Sequence, residues 1–485
     1  SVESCLMSRM GSAAAGIVLC ATRVPIDIDG GETGGRTFSL SWLHEQMDQA
    51  GVVRDYVKWD YELRSAETIH QVVQRAFRIA SSEPYGPVYL ALPQDILARK
   101  IKEVRIPPVT RHSAVETPQV DNTLLEKMAA MLIEAQEPLI ITGYSGRHTG
   151  GVEVLVELAE ALGARVVSSQ YMMNFPTNHP LSGGYSPDPY LNNADIILII
   201  DHDVPYTPSR ANLRTDAKII HIDIDAVKRD LPMWGFPADI LAECDSAKTL
   251  PLLSEAVQRK ITPQDSARFR ERFEKLQSEH KQMREQWRDS ADSWSSEKPV
   301  SVDWLCRCLD EVIDENTIVI EEAVTNRMAV LRQIQRTKPG TFFTSEGSSL
   351  GWAPGAALGA KLASPDSTVV AIVGDGTFIF GCPVPTLWAA EACKAPFLCV
   401  IMNNARYNAP KRAIRSTYGE QSFSDKTGNF VGTDIVPPPD YAEIARACGA
   451  YGLTVEEPSE VKSVLSGALE QVRQGKMAVV DVRIQ

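Results

Sequence analysis

Apolar and polar positions run through this chain in three successive blocks, each alternating short β-rich runs with stretches of helical periodicity, the pattern of parallel α/β domains. In the first block, residues 16–22 (GIVLCAT) predict a buried strand, residues 68–80 an amphipathic helix, and residues 88–92 (VYLAL) a second strand ended by Pro93. Residues 106–118 are rich in proline, which forbids helix and removes ladder donors, so a linker is expected there. The second block reads as helix over 121–135, strand over 138–142, helix over 152–162, and strands over 165–168, 196–201 and 218–223. Residues 265–294 are charged and helix-favouring with few apolar anchors, which predicts an exposed helical connector. The third block, from about residue 300, carries strands over 318–321, 368–373, 397–402 and 478–482 with helices between them.

Composition narrows what this fold serves. The chain has 485 residues, 44% hydrophobic and 23% charged, enough for several packed domains of a soluble type. Lys and Arg number 49 against 62 Asp and Glu, a formal charge of −13 without a basic run, so nucleic acid is not an expected partner. The longest apolar stretches, 194–200 and 396–402, fall far short of the roughly 20 residues that span a bilayer. Nine cysteines are scattered without zinc or redox spacing, and buried reduced thiols are expected. They suit a reducing compartment, so a cytoplasmic location is expected, with an organelle left open.

The chemistry is concentrated in residues 368–404, TVVAIVGDGTFIFGCPVPTLWAAEACKAPFLCVIMNN. A buried strand runs into Gly374, Asp375 and Gly376, a helix over 385–392 follows, and a second strand ends in Asn403 and Asn404. Ligands of open parallel sheets bind outside the carboxyl ends of strands, so Asp375 and Asn404 are expected to face one crevice. A carboxylate and an amide oxygen are hard ligands of the kind magnesium prefers. The glycines beside Asp375 let backbone approach a phosphate, and the N–H groups of Gly376 and Thr377 fall at a helix start. A β-turn and an Asx turn are the plainer alternative.

This strand-GDG to strand-NN arrangement resembles the fingerprint of thiamine-diphosphate-dependent enzymes of the acetolactate synthase and pyruvate decarboxylase superfamily. Residues 347–359 (GSSLGWAPGAALG) are similar to the family segment preceding the GDG strand. The resemblance makes Leu350 the apolar support under the bent cofactor and places Ser349 beside it. Thr325 and Asn326, after the first strand of the block, match positions that contact diphosphate, with helix capping as their alternative. By the same resemblance the metal ligands are Asp375, Asn404 and the backbone carbonyl of Arg406. The cofactor contacts are Thr325, Asn326, Ser349, Leu350, Gly374, Gly376, Thr377 and Tyr407.

The resemblance extends to domain order. It implies an α/β fold of three doubly wound parallel-sheet domains, the first incomplete at its amino end. Residues 1–105 would be the remnant of a pyrimidine-binding domain, 119–258 a non-catalytic middle domain, 259–299 the connector and 300–485 the diphosphate and magnesium domain. Residues 56–60 (YVKWD) and 201–208 (DHDVPYTP) are similar to segments of the first two domains. Gly143, Gly146 and Gly150 depart from GxGxxG spacing, so FAD is only a secondary expectation, open together with another nucleotide.

The family's pyrimidine domain holds a glutamate that drives formation of the reactive carbanion. Its position falls upstream of Ser1, and Glu3, Asp27, Asp29, Glu32 and Glu45 lie downstream of it, so no catalytic residue is assigned and a longer natural chain is expected. The implied activity is decarboxylation or carboligation of a 2-oxo acid or aldehyde, at the subunit interface of a homodimer or homotetramer. The alternative is a non-catalytic cofactor-binding homologue. Lys411 and Arg412 are candidates for a substrate carboxylate, or members of a solvated face. Trp352 and Phe378 are expected as core or pocket wall, and His44 lies in a loosely substrate-side segment without a catalytic role.

Overall fold

The computed structural model describes residues 15–29, 33–103, 106–108, 113–148, 150–345 and 350–485. Apolar runs become strands of three sheets in which every pairing is parallel. β1 (Val18–Arg23), β2 (Trp59–Glu62) and β3 (Val88–Pro93) form the first, in the order β1-β3-β2. Its helix Ile69–Ala80 turns Val72, Ala76 and Ala80 toward Val88 and Leu90, a spacing of four that keeps them on one face.

The second sheet joins β4 (Pro138–Thr142), β5 (Arg165–Ser168), β6 (Ile196–Ile200), β7 (Lys218–Asp223) and β8 (Ile240–Glu243) in the order β5-β4-β6-β7-β8. β6 reads Ile-Ile-Leu-Ile-Ile and is buried throughout, because both faces are covered. Ile196, Leu198 and Ile200 enter one core cluster, and Ile197 and Ile199 the opposite one. The third sheet contains β9 (Ile318–Glu322), β10 (Phe342–Thr344), β11 (Val369–Gly374), β12 (Leu398–Asn403), β13 (Tyr451–Val455) and β14 (Ala478–Arg483), in the order β10-β9-β11-β12-β14-β13. Strands β2, β8, β10 and β13 have no counterpart in the sequence expectation. They are short, and β8 and β13 are only partly buried, so no continuous apolar run marks them.

Two expectations gain detail. First, the charged connector is one helix, Pro263–Ser293, started by a Thr262/Asp265 capping box; most of its residues are exposed, as expected, but one stripe is docked. Phe269, Arg272, Leu276 and His280 line a buried stripe. Arg272 donates from Nε to Gly163 O (2.9 Å), from Nη1 to Ala135 O (3.0 Å) and Gln136 O (2.8 Å), and from Nη2 to Leu162 O. These carbonyls end the helices Asn122–Glu134 and Gly151–Leu162, where backbone acceptors lack partners and the helix dipole is negative. Burial lowers the Arg272 pKa to about 10, and it stays charged at neutral pH. Second, the thiols divide: Cys244, Cys306, Cys308 and Cys399 are buried, whereas Cys20, Cys382 and Cys393 are exposed.

Replacing Arg272 with Met strands several buried carbonyls at once, and a loss of about 3 kcal/mol in unfolding free energy is expected. A change in urea midpoint equivalent to less than about 0.5 kcal/mol, the scale of an ordinary surface substitution, would overturn that assignment. His202, just beyond β6, accepts the Val204 N–H at Nδ1 (3.2 Å), and burial holds its pKa near 4, below the ordinary 6.5. The unfolded chain therefore binds the extra proton between these values. The contribution is complete above about pH 6.5 and disappears as pH falls toward 4, amounting to roughly 3 kcal/mol. In His202→Gln the stability difference between pH 7 and pH 4.5 should shrink by about that amount. An unchanged difference would exclude His202 as its source.

Candidate active site

β9, β11 and β12 are neighbours in the third sheet, so their carboxyl ends open onto one crevice. The chain leaves β9 toward β10 on one side and β11 on the other, which makes this the topological switch point. Val373 pairs with Glu322 and Gly374 with Met402, so the ends stand level. Asp375 opens the helix Asp375–Phe380 and is 2% exposed. The Arg406 N–H donates to Asp375 Oδ2 (3.1 Å) and to Asn404 Oδ1 (3.2 Å), so one backbone amide draws the two side chains together.

Burial raises the Asp375 pKa above its ordinary value, against the amides of Gly376, Arg406, Ala405 and Asp375 itself, which favour the charged form. Among the described residues no ion pair reaches this carboxylate, and no group of three His, Cys, Asp or Glu side chains forms a metal cluster. A desolvated carboxylate beside an amide oxygen is a hard, all-oxygen donor pair. It fits a divalent cation that keeps other oxygen ligands of its own.

Around this centre the structure brings most of the sequence-predicted residues together. A Cβ on Gly376 would stand 2.6 Å from the Tyr407 ring, so the ring rests on bare backbone that only glycine provides. Thr377 is buried, and its hydroxyl donates to Glu322 O (3.0 Å), leaving its amide on the first turn of the helix. Thr325 and Asn326 form the turn after β9. Arg412 Nη1 donates to Thr325 O (3.1 Å), and Asn326 begins the next helix without a side-chain cap, so capping does not occupy it. Leu350 is half-buried, and Ser349 lies outside the described residues. Lys411 stacks on Phe430 with Nζ 4.7 Å from the ring centre, and Phe378 packs edge-on against Tyr441 in the core.

Sequence reasoning missed Glu322. Its carboxylate is fully buried and accepts the N–H of Gly351 (2.9 Å) and of Ala353 (2.7 Å). Leu350 is thereby tethered next to Gly351, whose φ of +96° and close approach to Gly381 require glycine. Its neighbour Glu321 accepts from Ala323 N and from Arg327 Nε (2.7 Å). The available signal was two adjacent acids ending an apolar strand, since buried carboxylates must find donors.

The other two sheets contribute differently. His44, Arg23, Gln49 and Tyr89 line a cleft of about 420 Å³ at the carboxyl ends of β1 and β3. Glu45 pairs with Arg36 (2.6 Å), and Asp27 accepts from the Asp29 amide; Glu3 and Glu32 lie outside the described residues. In the second sheet, a Cβ on Gly143 would meet Asp201 O at 2.2 Å and one on Gly146 would meet Met173 O at 2.1 Å, so close backbone packing accounts for these glycines. Arg147 pairs with Asp201 (3.0 Å), and Lys228 bridges Asp203 and Asp223, at the ends of β6 and β7.

No helix among the described residues is long and apolar enough to cross a membrane. Residues 322–482 match the family "Thiamine pyrophosphate enzyme, C-terminal TPP binding domain", and residues 125–244 match "Thiamine pyrophosphate enzyme, central domain". The acetolactate synthase isozyme 3 large subunit of Escherichia coli (strain K12) is 28% identical over 467 residues, 91% of this chain and 76% of that protein. The benzoylformate decarboxylase of Pseudomonas aeruginosa is 25% identical over 466 residues, 92% of this chain and 80% of that protein. A solved thiamine diphosphate-dependent 4-hydroxybenzoylformate decarboxylase from Rhodococcus jostii RHA1 superposes with a TM-score of 0.75 at 19% identity, covering 99% of this chain and 84% of that one, which establishes the fold. On the two domain matches, these relatives and the three parallel sheets, the chain belongs to the thiamine-diphosphate-dependent enzymes of the acetolactate synthase-like superfamily.

Proposed function

We propose that this enzyme cleaves or forms a carbon–carbon bond beside the carbonyl of a 2-oxo acid, using thiamine diphosphate and Mg²⁺, as the names of its acetolactate synthase and benzoylformate decarboxylase relatives suggest. The observation that carries this reading is the single Arg406 amide holding Asp375 and Asn404 side by side at adjacent strand ends. Thiamine diphosphate, when bound, supplies a nucleophilic carbon that adds to a carbonyl.

The chain's own residues do the rest. Asp375, Asn404 and the Arg406 carbonyl would hold the cation, and the amides of Gly376 and Thr377 would be donors for the diphosphate. Thr325 and Asn326 would add polar contacts, Leu350 would support the cofactor from an apolar side, and Tyr407 would wall the site. Domains of 1–105, 119–258 and 300–485, joined by 259–299, supply the pyrimidine side, the spacer and the diphosphate side. Phe380, Val384 and Trp388 leave large apolar surface exposed on the helices that follow Asp375. Such a patch favours a homodimer that completes the site between subunits. The free thiols, several of them exposed, suit a cytoplasmic location.

The test is turnover of aliphatic and aryl 2-oxo acids by the natural full-length protein with thiamine diphosphate and Mg²⁺, followed as CO₂ and hydroxyketone release. Turnover that EDTA abolishes is expected; cofactor binding without turnover of any 2-oxo acid would overturn the reaction. Asp375→Asn should weaken Mg²⁺ binding by at least about 100-fold, as loss of the charged ligand implies. Glu322→Gln turns an NH₂ toward one of two backbone donors. It should lower stability by about 1–3 kcal/mol and loosen cofactor binding, read by thermal melting and cofactor titration.

A further inference from the structure

Directly behind the cation loop lies a buried acid that the proposed chemistry does not use. Asp481, on β14, is fully buried, and its Oδ1 accepts from Asn403 Nδ2 at 2.8 Å. Asn403 is 2% exposed and precedes the candidate ligand Asn404. Its Oδ1 accepts the Ala405 N–H at 3.0 Å. Ala405 has φ +55°, a left-handed conformation that an alanine holds only where its surroundings impose it. Beyond it, the Arg406 amide binds Asp375 and Asn404, and the Tyr407 amide donates to Thr433 O.

The link is directional. A carboxylate only accepts, so Asp481 forces the Asn403 amide to present its NH₂ inward and its oxygen toward Ala405. Without that constraint the amide is free to flip, and its NH₂ would then oppose the Ala405 N–H. Arg483 Nη2, 3.3 Å from Asp481 Oδ2, keeps a positive charge beside the acid.

We infer that Asp481 is a positioning residue for the cation site, acting through the Asn403 amide to hold Ala405 left-handed and so to aim Asn404 and the Arg406 carbonyl. This inference rests on the reading of Asp375, Asn404 and Arg406 as cation ligands. A side chain that orients ligands without touching the metal typically governs affinity by about 10- to 100-fold.

The experiment is a titration of the whole protein with Mn²⁺ in the presence of thiamine diphosphate, followed by electron paramagnetic resonance of the free ion, with thermal melting alongside. Asp481→Leu removes the acceptor and should weaken Mn²⁺ binding by at least about tenfold. Asp481→Asn is isosteric, and its oxygen still accepts from Asn403, so affinity within about threefold of the parent is expected. Asn403→Leu should match Asp481→Leu, and the double variant should lose no more than either, because the two act in series. Should Asp481→Leu not fold, Asn403→Leu reads the same link. Parent protein that binds no Mn²⁺ would overturn the cation-site reading itself. Parent protein that binds, with leucine variants that bind equally well, would overturn only the role of Asp481. Equal losses in D481N and D481L would also overturn it, since hydrogen-bond direction would then be irrelevant.

Discussion

A carboxylate sealed inside a protein must be met by donors, and at the end of β9 that requirement organises the whole crevice. Glu322 gathers the amides of Gly351 and Ala353 on its side chain and the Thr377 hydroxyl on its carbonyl. Three segments far apart in sequence are thereby fastened to one residue: the strand end, the loop bearing Leu350 and the helix begun by Asp375. Each bond is modest alone, but leaving any donor or acceptor unpaired in a dry interior costs more than making the bond gains. The local geometry is therefore close to all-or-none.

The parallel sheet supplies the frame in which this acts. Equal registers across β9, β11 and β12 bring three strand ends level, and the helices beyond them cannot begin until each chain has turned away. Asp375 sits at this level with its pKa raised, surrounded by amides and without an ion pair among the described residues. The site is thus held in a state that is locally unfavourable and is maintained by packing elsewhere. Asp481 is pushed the same way, up to about 6, chiefly by burial. Asp375 adds to that rise, so each of the two buried acids makes the other's charge harder to hold.

The sequence made the frame and the centre of this site readable for different reasons. The run Ile-Ile-Leu-Ile-Ile at β6 is apolar on both faces, which only a covered parallel strand explains, and Gly-Asp-Gly after an apolar strand marks a turn needing bare backbone. Short strands such as β10, or half-exposed ones such as β8, leave no such trace. The supporting acids Glu322 and Asp481 were harder to read, because an acid in an apolar strand shows that a donor is needed but not which one. Only the tertiary structure names those donors, Gly351 and Ala353 in one case and Asn403 in the other. In the connector the charged composition hid the opposite case, an arginine whose side chain donates to buried backbone carbonyls.

That arginine bears on how the chain is made. The helices ending at Glu134 and Leu162 emerge from a ribosome well before residue 272 is synthesised, so their last carbonyls wait, uncapped, for a partner on the next structural element. The unit that closes on itself is therefore not the five-stranded sheet alone but the sheet together with the first turns of the long helix. A fragment cut between them would carry exposed acceptors at one end. During synthesis, the second layer of the protein remains provisional until its connector has been translated and docked.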